Sequence, residues 1–148
     1  MTRACIWLDP GGTTGIATWD YDKVAFGSHQ SDWQMTGTYI EKIAAWLGPE
    51  LEIGYESYTI TPGSHVKHDG SALLIIGMVR WLAYRHGATL LQSQQPSARK
   101  LGLLHLRKLG WYRAGTQHAN DAAAHAAVYL MKTNQLPAEL KERIAHDG

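Results

Sequence analysis

The sequence is short of cysteine and has no long apolar run, and each shortage excludes a class of protein. Cys5 is the only cysteine among 148 residues, so this chain forms no internal disulfide and fits a reducing compartment. The longest later apolar run, 72–79, ends at Arg80 and is far too short to span a bilayer. No signal peptide is apparent, because Asp9 interrupts the only early apolar segment. We therefore expect a cytoplasmic protein without a membrane partner.

Acidic residues are also missing, but only from the middle of the chain. Residues 1–69 carry four Lys or Arg and nine Asp or Glu, whereas residues 70–120 carry seven basic residues and no acidic one. The formal net charge of +1 therefore hides a strongly basic segment. Such an asymmetry favours a polyanionic partner such as nucleic acid, although solvated helix and loop surfaces are the simpler alternative. The basic residues are Arg80, Arg85, Arg99, Lys100, Arg107, Lys108 and Arg113.

The order of predicted elements indicates an α/β fold in a single domain, residues 1–148. A strand meander is followed by strands that alternate with helices, which predicts a mixed five-stranded sheet flanked by helices. In this sheet an antiparallel meander is joined by two parallel strands. A polar loop is predicted from Ser57 to Gly70, and a charged tail from Ala138 to Ala145. The predicted strands are Ala4–Leu8, Ile16–Trp19, Val24–His29, Leu51–Glu56 and Ala88–Leu91, and the predicted helices are Met35–Leu47, Ser71–His86, a short one opened by Pro96, and His118–Thr133.

Three carboxylates are placed where this fold would bring them together. Asp9 and Glu56 each end a strand, and ligands of such sheets bind beyond the carboxyl ends of neighbouring parallel strands. Asp121 is predicted at the start of the last helix, with His118 three residues earlier on the same helix face. Each also has a simpler explanation, as a turn or strand-end residue, a helix-dipole charge or a helix cap. His125, one turn further, is expected to be packed or solvent-exposed rather than to support a site.

Carboxylates in this arrangement suit a two-metal phosphoryl-transfer site. Hard oxygen ligands are those that Mg²⁺ prefers, and an imidazole ligand shifts the preference towards Mn²⁺. We expect Asp9 to bridge both ions and Glu56 to hold one of them. Asp121 together with His118 is expected to hold the other.

Several segments resemble the RuvC-like Holliday junction resolvases, which belong to the RNase H-like superfamily. Residues 6–11 with Thr14-Gly15 are similar to the opening strand and turn of that family, and Tyr55-Glu56 to its second acidic strand. Residues 71–80 are similar to its central helix, and residues 118–124 to its final acidic helix. The resemblance covers about residues 4–131. It implies an RNase H-like fold.

The resemblance also implies an activity, a substrate and further site residues. The implied activity is a Mg²⁺- or Mn²⁺-dependent endonuclease for branched DNA, either a four-way junction or a flap. The segment 96–100 resembles the one that delivers a lysine near the scissile phosphate, which makes Lys100 that residue. Tyr58 corresponds to an aromatic residue that probes the junction centre. The stretch between Lys100 and Asp121 is shorter than in the family. The predicted DNA-binding residues are Tyr58, Arg80, Arg99, Lys100, Arg107 and Lys108.

A homodimer is expected, because symmetric cleavage of a four-way junction needs two active sites. The predicted helix Ser71–His86 is apolar around more than one face, so it is the candidate interface. Burial of the same helix under the sheet would produce the same pattern.

Three alternatives to a junction resolvase remain open at this point. A flap- or RNA-processing nuclease would use the same carboxylates. A non-catalytic nucleic-acid-binding module would need the basic residues but not the converging acidic ones. Residues 9–15 also resemble the phosphate-binding turn of sugar-kinase and actin-like phosphotransferases. Those proteins close two domains on ATP, and this chain has the length of one.

Overall fold

A computed structural model describes residues 1–59 and 70–146, and within them the chain forms a mixed α/β fold. The element order agrees with the prediction as far as the fourth helix. The strands are β1 (Ala4–Asp9), β2 (Thr14–Asp20), β3 (Ala25–Ser31), β4 (Leu51–Tyr55) and β5 (Thr89–Leu90), and the helices are α1 (Trp33–Leu47), α2 (Ser71–His86), α3 (Ala98–Leu109), α4 (Gln117–Lys132) and α5 (Ala138–Ala145), with a 3-10 turn at Gly48–Glu50.

The five strands form one sheet in the order β3-β2-β1-β4-β5. The meander pairs are antiparallel, whereas β4 pairs in parallel with both β1 and β5. This topology confirms the predicted fold class. Strand β4 ends at Tyr55, one residue earlier than predicted, and Glu56 continues it as an isolated parallel bridge to Gln94.

Alternation along β1 divides the interior into two apolar cores, one on each face of the sheet. Ile6 and Leu8 belong to the core that includes α1 and α2. Cys5 and Trp7 belong to the opposite core, with α3 and α4. Cys5 is fully buried, so it serves as a small core residue. Asp9 has the same parity as Cys5 and Trp7, so its side chain lies on the α4 face.

Helix α2 is only half covered by the residues that the structure describes. Its bounds are those predicted, and Ile75 and Val79 lie on the buried face. Leu74, Trp81 and Tyr84 on the same helix are exposed. Burial under the sheet therefore accounts for one apolar face, and a second face remains on the surface.

Helix α4 lies in the interior because six of its sixteen residues are alanine, whose small side chains allow neighbouring backbone to approach closely. It contacts β1, β2 and β3 on one side and α3 on the other. The contact with α3 is made at Gly102, where an added Cβ would lie 2.1 Å from the carbonyl oxygen of Ala124. Glycine is therefore required at this position by the close approach of two helices.

This close approach predicts that Gly102→Ala destabilises the protein although alanine favours helix formation. We expect a loss of about 1–3 kcal/mol in the free energy of unfolding, because the methyl group overpacks a backbone contact. Gly77 in α2 is a matched control, since no atom lies within 4 Å of an added Cβ there. Gly77→Ala should be stabilising by about 0.5–1 kcal/mol. Urea unfolding of both variants measures the difference, and equal effects would contradict the proposed packing.

The carboxyl-terminal prediction is wrong in one respect. Ala138–Ala145, expected to be a charged tail, forms helix α5. Leu140 and Ile144 pack against the core beside α4, and this apolar pair explains why the charged segment is ordered as a helix. Most of the predicted loop, residues 60–69, lies outside the described residues. No helix within 1–59 and 70–146 is both long and apolar enough to cross a membrane.

Candidate metal centre

The parallel pairing of β1 and β4 brings Asp9 next to Glu56. Leu8 pairs with Tyr55, so the two acidic residues occupy the following position on neighbouring strands. The backbone N–H of Glu56 donates to the carbonyl of Leu8 at 2.9 Å, which continues this register. Both side chains lie on the α4 face by alternation. The prediction that sheet topology would place these carboxylates together is therefore met.

The start of α4 is held against the same end of the sheet by a glycine. Gly15 is the β2 partner of Asp9, and a Cβ added to it would lie 1.8 Å from the carbonyl oxygen of His118. Helix α4 begins at Gln117, so Asp121 lies in its second turn rather than at its start. Asp121 is therefore not a first-turn residue that is present only to interact with the helix dipole.

Asp9, His118 and Asp121 form a compact group of possible metal ligands. One ligand atom from each lies within 4.8 Å of the other two. Nδ1 of His118 is 2.9 Å from Oδ2 of Asp9, so an ionised Asp9 accepts the Nδ1 proton and leaves Nε2 with its lone pair. Both aspartates are almost fully buried. Two carboxylates and an imidazole fit a divalent cation of the Mg²⁺ or Mn²⁺ class.

The electrostatics of this group favour binding of a cation. Burial raises the pKa of the Asp9 carboxyl, the hydrogen bond from His118 lowers it, and the charges of Glu56 and Asp121 raise it further; the net pKa is above the ordinary value. The Asp121 pKa is also raised, first by burial, against the opposing effect of Arg99. Ionising both aspartates in the folded protein is thus costly without a compensating positive charge.

Glu56 lies beside this group but is bound to protein partners. Its Oε2 atom is 2.6 Å from Nε2 of the fully buried His125 and 3.6 Å from Nη1 of Arg99. The same Nη1 donates to Oδ2 of Asp121 at 3.1 Å. A guanidinium group therefore lies between two of the three predicted acidic ligands. The sequence predicted Arg99 as a DNA contact and did not anticipate this position.

His125 supports Glu56, which differs from the expected role of a packing or exposed residue. Its ring stacks on Trp7, with centroids 6.1 Å apart, so the packing part of the expectation holds. Gln94 donates through Nε2 to the His125 carbonyl and presents Oε1 to Nδ1 at 2.8 Å, so Nδ1 carries a proton. His125 follows His118 by seven residues on one helix face, a spacing that would have indicated this contact.

This buried contact predicts a large loss of stability for His125→Leu. Leucine removes the shared proton and leaves a buried carboxylate with Arg99 as its remaining charged contact, which should cost about 3 kcal/mol in unfolding free energy. The second variant, His125→Leu with Glu56→Gln, should recover part of that loss, because a neutral amide is easier to bury. Chemical denaturation of both variants provides the comparison. An equal or larger loss in the double variant would argue against the pairing.

The other predicted nucleic-acid contacts are spread over the surface near α2 and α3. Arg80 and Lys100 are exposed, and Tyr58 is half-buried two residues after Glu56. The Arg107 guanidinium lies over the Tyr112 ring, 4.0 Å from its centroid. The structure thus separates the neighbours Arg99 and Lys100, since the first contacts the acidic group and the second faces solvent. The remaining predicted contact, Lys108, donates to the carbonyl of Ile144 at 3.4 Å.

Neither a protein-family model nor a curated protein sequence matches this chain. Among solved structures, the chain is similar to RuvC from Thermus thermophilus, with a TM-score of 0.63 and 14% identity, over 90% of this chain and 98% of that one. It is equally similar to T. thermophilus RuvC in complex with a Holliday junction substrate, at a TM-score of 0.63 and 14% identity, over 90% and 97% of the two chains. The chain therefore has the RuvC-like RNase H fold that its sequence predicts.

Proposed function

We propose that this protein is a metal-dependent endonuclease that hydrolyses phosphodiester bonds in branched DNA, and specifically a Holliday junction resolvase. The observation that carries the proposal is the group Asp9, His118 and Asp121 at the carboxyl end of β1 in a RuvC-like fold. The four-way junction is favoured as substrate because one of the solved structures similar to this chain is RuvC in complex with a Holliday junction substrate. We further propose that residues 1–148 act as one nuclease domain in the cytoplasm.

The ligand assignment follows from the donor atoms. Asp9, His118 and Asp121 would hold Mg²⁺ or Mn²⁺, and in the two-ion form that the sequence predicts Glu56 would hold the second ion. When bound, such ions would supply Lewis-acid polarisation of the phosphate and activation of the attacking water. The His118–Asp9 hydrogen bond orients both groups before any cation arrives. Lys100 remains our candidate for a positive charge at the scissile phosphate, because it is exposed at the start of α3.

The exposed cations on α2 and α3 are proposed to bind the DNA backbone. Arg80, Lys100 and Arg107 would neutralise phosphates and release counterions, so the binding constant should fall steeply with salt. Arg99 and Lys108 were also predicted to contact DNA. To do so, each would have to leave its protein partner and bind a phosphate instead. Tyr58 is proposed to stack on a base at the junction.

A homodimer is proposed because paired cuts need two centres. The exposed face of α2, formed by Leu74, Trp81 and Tyr84, is the proposed interface. Contiguous exposed apolar side chains often mark a protein–protein interface. Sedimentation of wild-type protein and of a Leu74→Glu, Trp81→Glu variant would test it, since charges there should leave a monomer that still folds.

The deciding experiment is cleavage of an end-labelled four-way junction with Mg²⁺ or Mn²⁺. Flap, linear-duplex and RNA–DNA hybrid substrates serve as comparisons, and Asp121→Asn serves as the inactive control. Paired symmetric nicks in the junction, absent without metal and absent in the variant, are the expected result. Metal-dependent cutting of flaps or hybrids instead would reassign the substrate. Binding without cutting of any substrate would refute the nuclease and leave a nucleic-acid-binding module.

A further inference from the structure

Arg99 is placed inside the acidic group rather than on a DNA-facing surface. A single nitrogen, Nη1, contacts Oδ2 of Asp121 at 3.1 Å and Oε2 of Glu56 at 3.6 Å. The two carboxylate side chains are 8% and 13% exposed, so this contact is largely shielded from water. Ion pairs in such a setting are screened much less than surface pairs.

One carboxylate oxygen of Glu56 is already shared between two protein partners in this arrangement. Its Oε2 atom faces both the Arg99 guanidinium and the ring of His125. His125 is in turn fixed by Gln94, whose amide contacts both its ring and its backbone carbonyl. Among the described residues, the compact ligand group consists of Asp9, His118 and Asp121, without Glu56.

The packing of α3 against α4 places Arg99 close to the acidic group. Arg99 precedes Gly102 by three residues, and Asp121 precedes Ala124 by three residues. The Gly102–Ala124 backbone approach holds α3 close against α4. Arg99, in the first turn of α3, contacts Asp121 on α4 and Glu56 after β4 through one nitrogen.

We propose that the Arg99 guanidinium occupies the position of the second cation between Glu56 and Asp121, so that the DNA-free protein binds one divalent cation and not two. This inference rests on the proposed metal-dependent function. The single ion binds at Asp9, His118 and Asp121. A second divalent ion at Glu56 would meet a fixed positive charge at short range, where like charges repel strongly.

Arg99 would then set when the second ion enters. A guanidinium binds phosphate oxygens as well as carboxylate oxygens, often through two hydrogen bonds. A DNA phosphate near the cluster offers Arg99 an alternative partner, and its departure would release Glu56 for metal binding. Arg99 is thus a positioning residue that links occupancy of the metal centre to the presence of DNA.

The test is calorimetric titration of the full-length, DNA-free protein with Mn²⁺ alone. Wild type is expected to bind one ion. Arg99→Met and Arg99→Gln are expected to bind a second ion at least about tenfold more tightly than wild type does, a change of about 1.4 kcal/mol. Glutamine keeps hydrogen-bonding capacity, so it guards against a folding defect in the methionine variant. Lys100→Met is the matched control, because it removes the same charge from the next residue, which faces solvent.

Thermal unfolding gives a second readout that needs no catalysis. Without metal, Arg99→Met should melt lower than Lys100→Met, and Mn²⁺ should raise its melting temperature more than that of wild type. Two ions bound by the wild type would overturn the inference. It would also be overturned by one ion in both Arg99 variants, or by a second ion in Lys100→Met. Absence of any Mn²⁺ binding to wild type would instead refute the metal centre and with it the proposed function.

Discussion

Asp9→Asn is expected to abolish metal-dependent cleavage while leaving the fold intact. Asp9 accepts the hydrogen bond from His118 and is the shared neighbour of both other carboxylates. Asparagine keeps a hydrogen-bond acceptor but loses the charge that attracts the cation. We expect a fall of about 10³-fold or more in cleavage rate, since the metal supplies several kcal/mol of transition-state stabilisation.

The same variant should be at least as stable as wild type in the absence of metal. The folded-state pKa of Asp9 is raised, so the folded protein binds this proton more tightly than the unfolded chain does. Its contribution to stability therefore falls as the pH rises from the ordinary aspartate value through the raised pKa. Asparagine does not titrate, so the variant does not lose this stability. The difference in free energy of unfolding between variant and wild type should therefore widen over this pH range.

Thermal melts with and without Mn²⁺ measure both effects on one protein. Wild type should gain melting temperature on adding Mn²⁺, whereas Asp9→Asn should gain little. Asp32→Asn is a suitable control, because it makes the same chemical change at the N-cap of α1, which is not part of the ligand group. A stable Asp9→Asn protein that still cuts DNA would remove Asp9 from the chemistry.

Gly15→Ala is expected to damage both the fold and the metal centre through one methyl group. The added Cβ would lie 1.8 Å from the carbonyl oxygen of His118, which is backbone and cannot rotate away. Either β2 or the start of α4 must shift. We expect a loss of about 3 kcal/mol in unfolding free energy, at the upper end for overpacking. The shift also separates His118 from Asp9, so Mn²⁺ stabilisation should be lost.

Gly27→Ala in the adjacent strand is the matched control for this prediction. Gly27 is a β3 residue opposite Thr18, and no atom lies within 4 Å of an added Cβ. Alanine there should be neutral or stabilising by up to about 1 kcal/mol. Urea unfolding and Mn²⁺-induced changes in melting temperature distinguish the two variants. Similar stability for both would show that α4 does not depend on Gly15.

The sheet and the convergence of the carboxylates were accessible from sequence because they depend on local patterns. An apolar β1 ending at Asp9 and a second strand near Glu56 predict neighbouring parallel strand ends. The three-residue spacing of His118 and Asp121 places both on one face of α4. That these residues bind metal stays a prediction, whereas their proximity is a property of the structure.

The partners of those carboxylates were not accessible, because each depends on contacts between distant segments. Arg99 and Lys100 are indistinguishable in a basic stretch until α3 packs on α4. His125 was expected to be packed or solvent-exposed; its spacing from His118 indicates the shared helix face, but not that Gln94 and Glu56 of other segments are its partners. The tail Ala138–Ala145 forms a helix because it packs against α3 and the apolar core on that face of the sheet, and its charged composition conceals that contact.

The position of α4 between the sheet and α3 also determines when the ligand group can assemble during protein synthesis. Ligand atoms come from both Asp9 and Asp121, so the centre needs a contact across most of the chain. Contacts of such high sequence separation form late. A nascent chain that has not yet extruded α4 lacks two of the three ligands, His118 and Asp121. The proposed metal centre therefore cannot assemble on the ribosome until α4 has emerged.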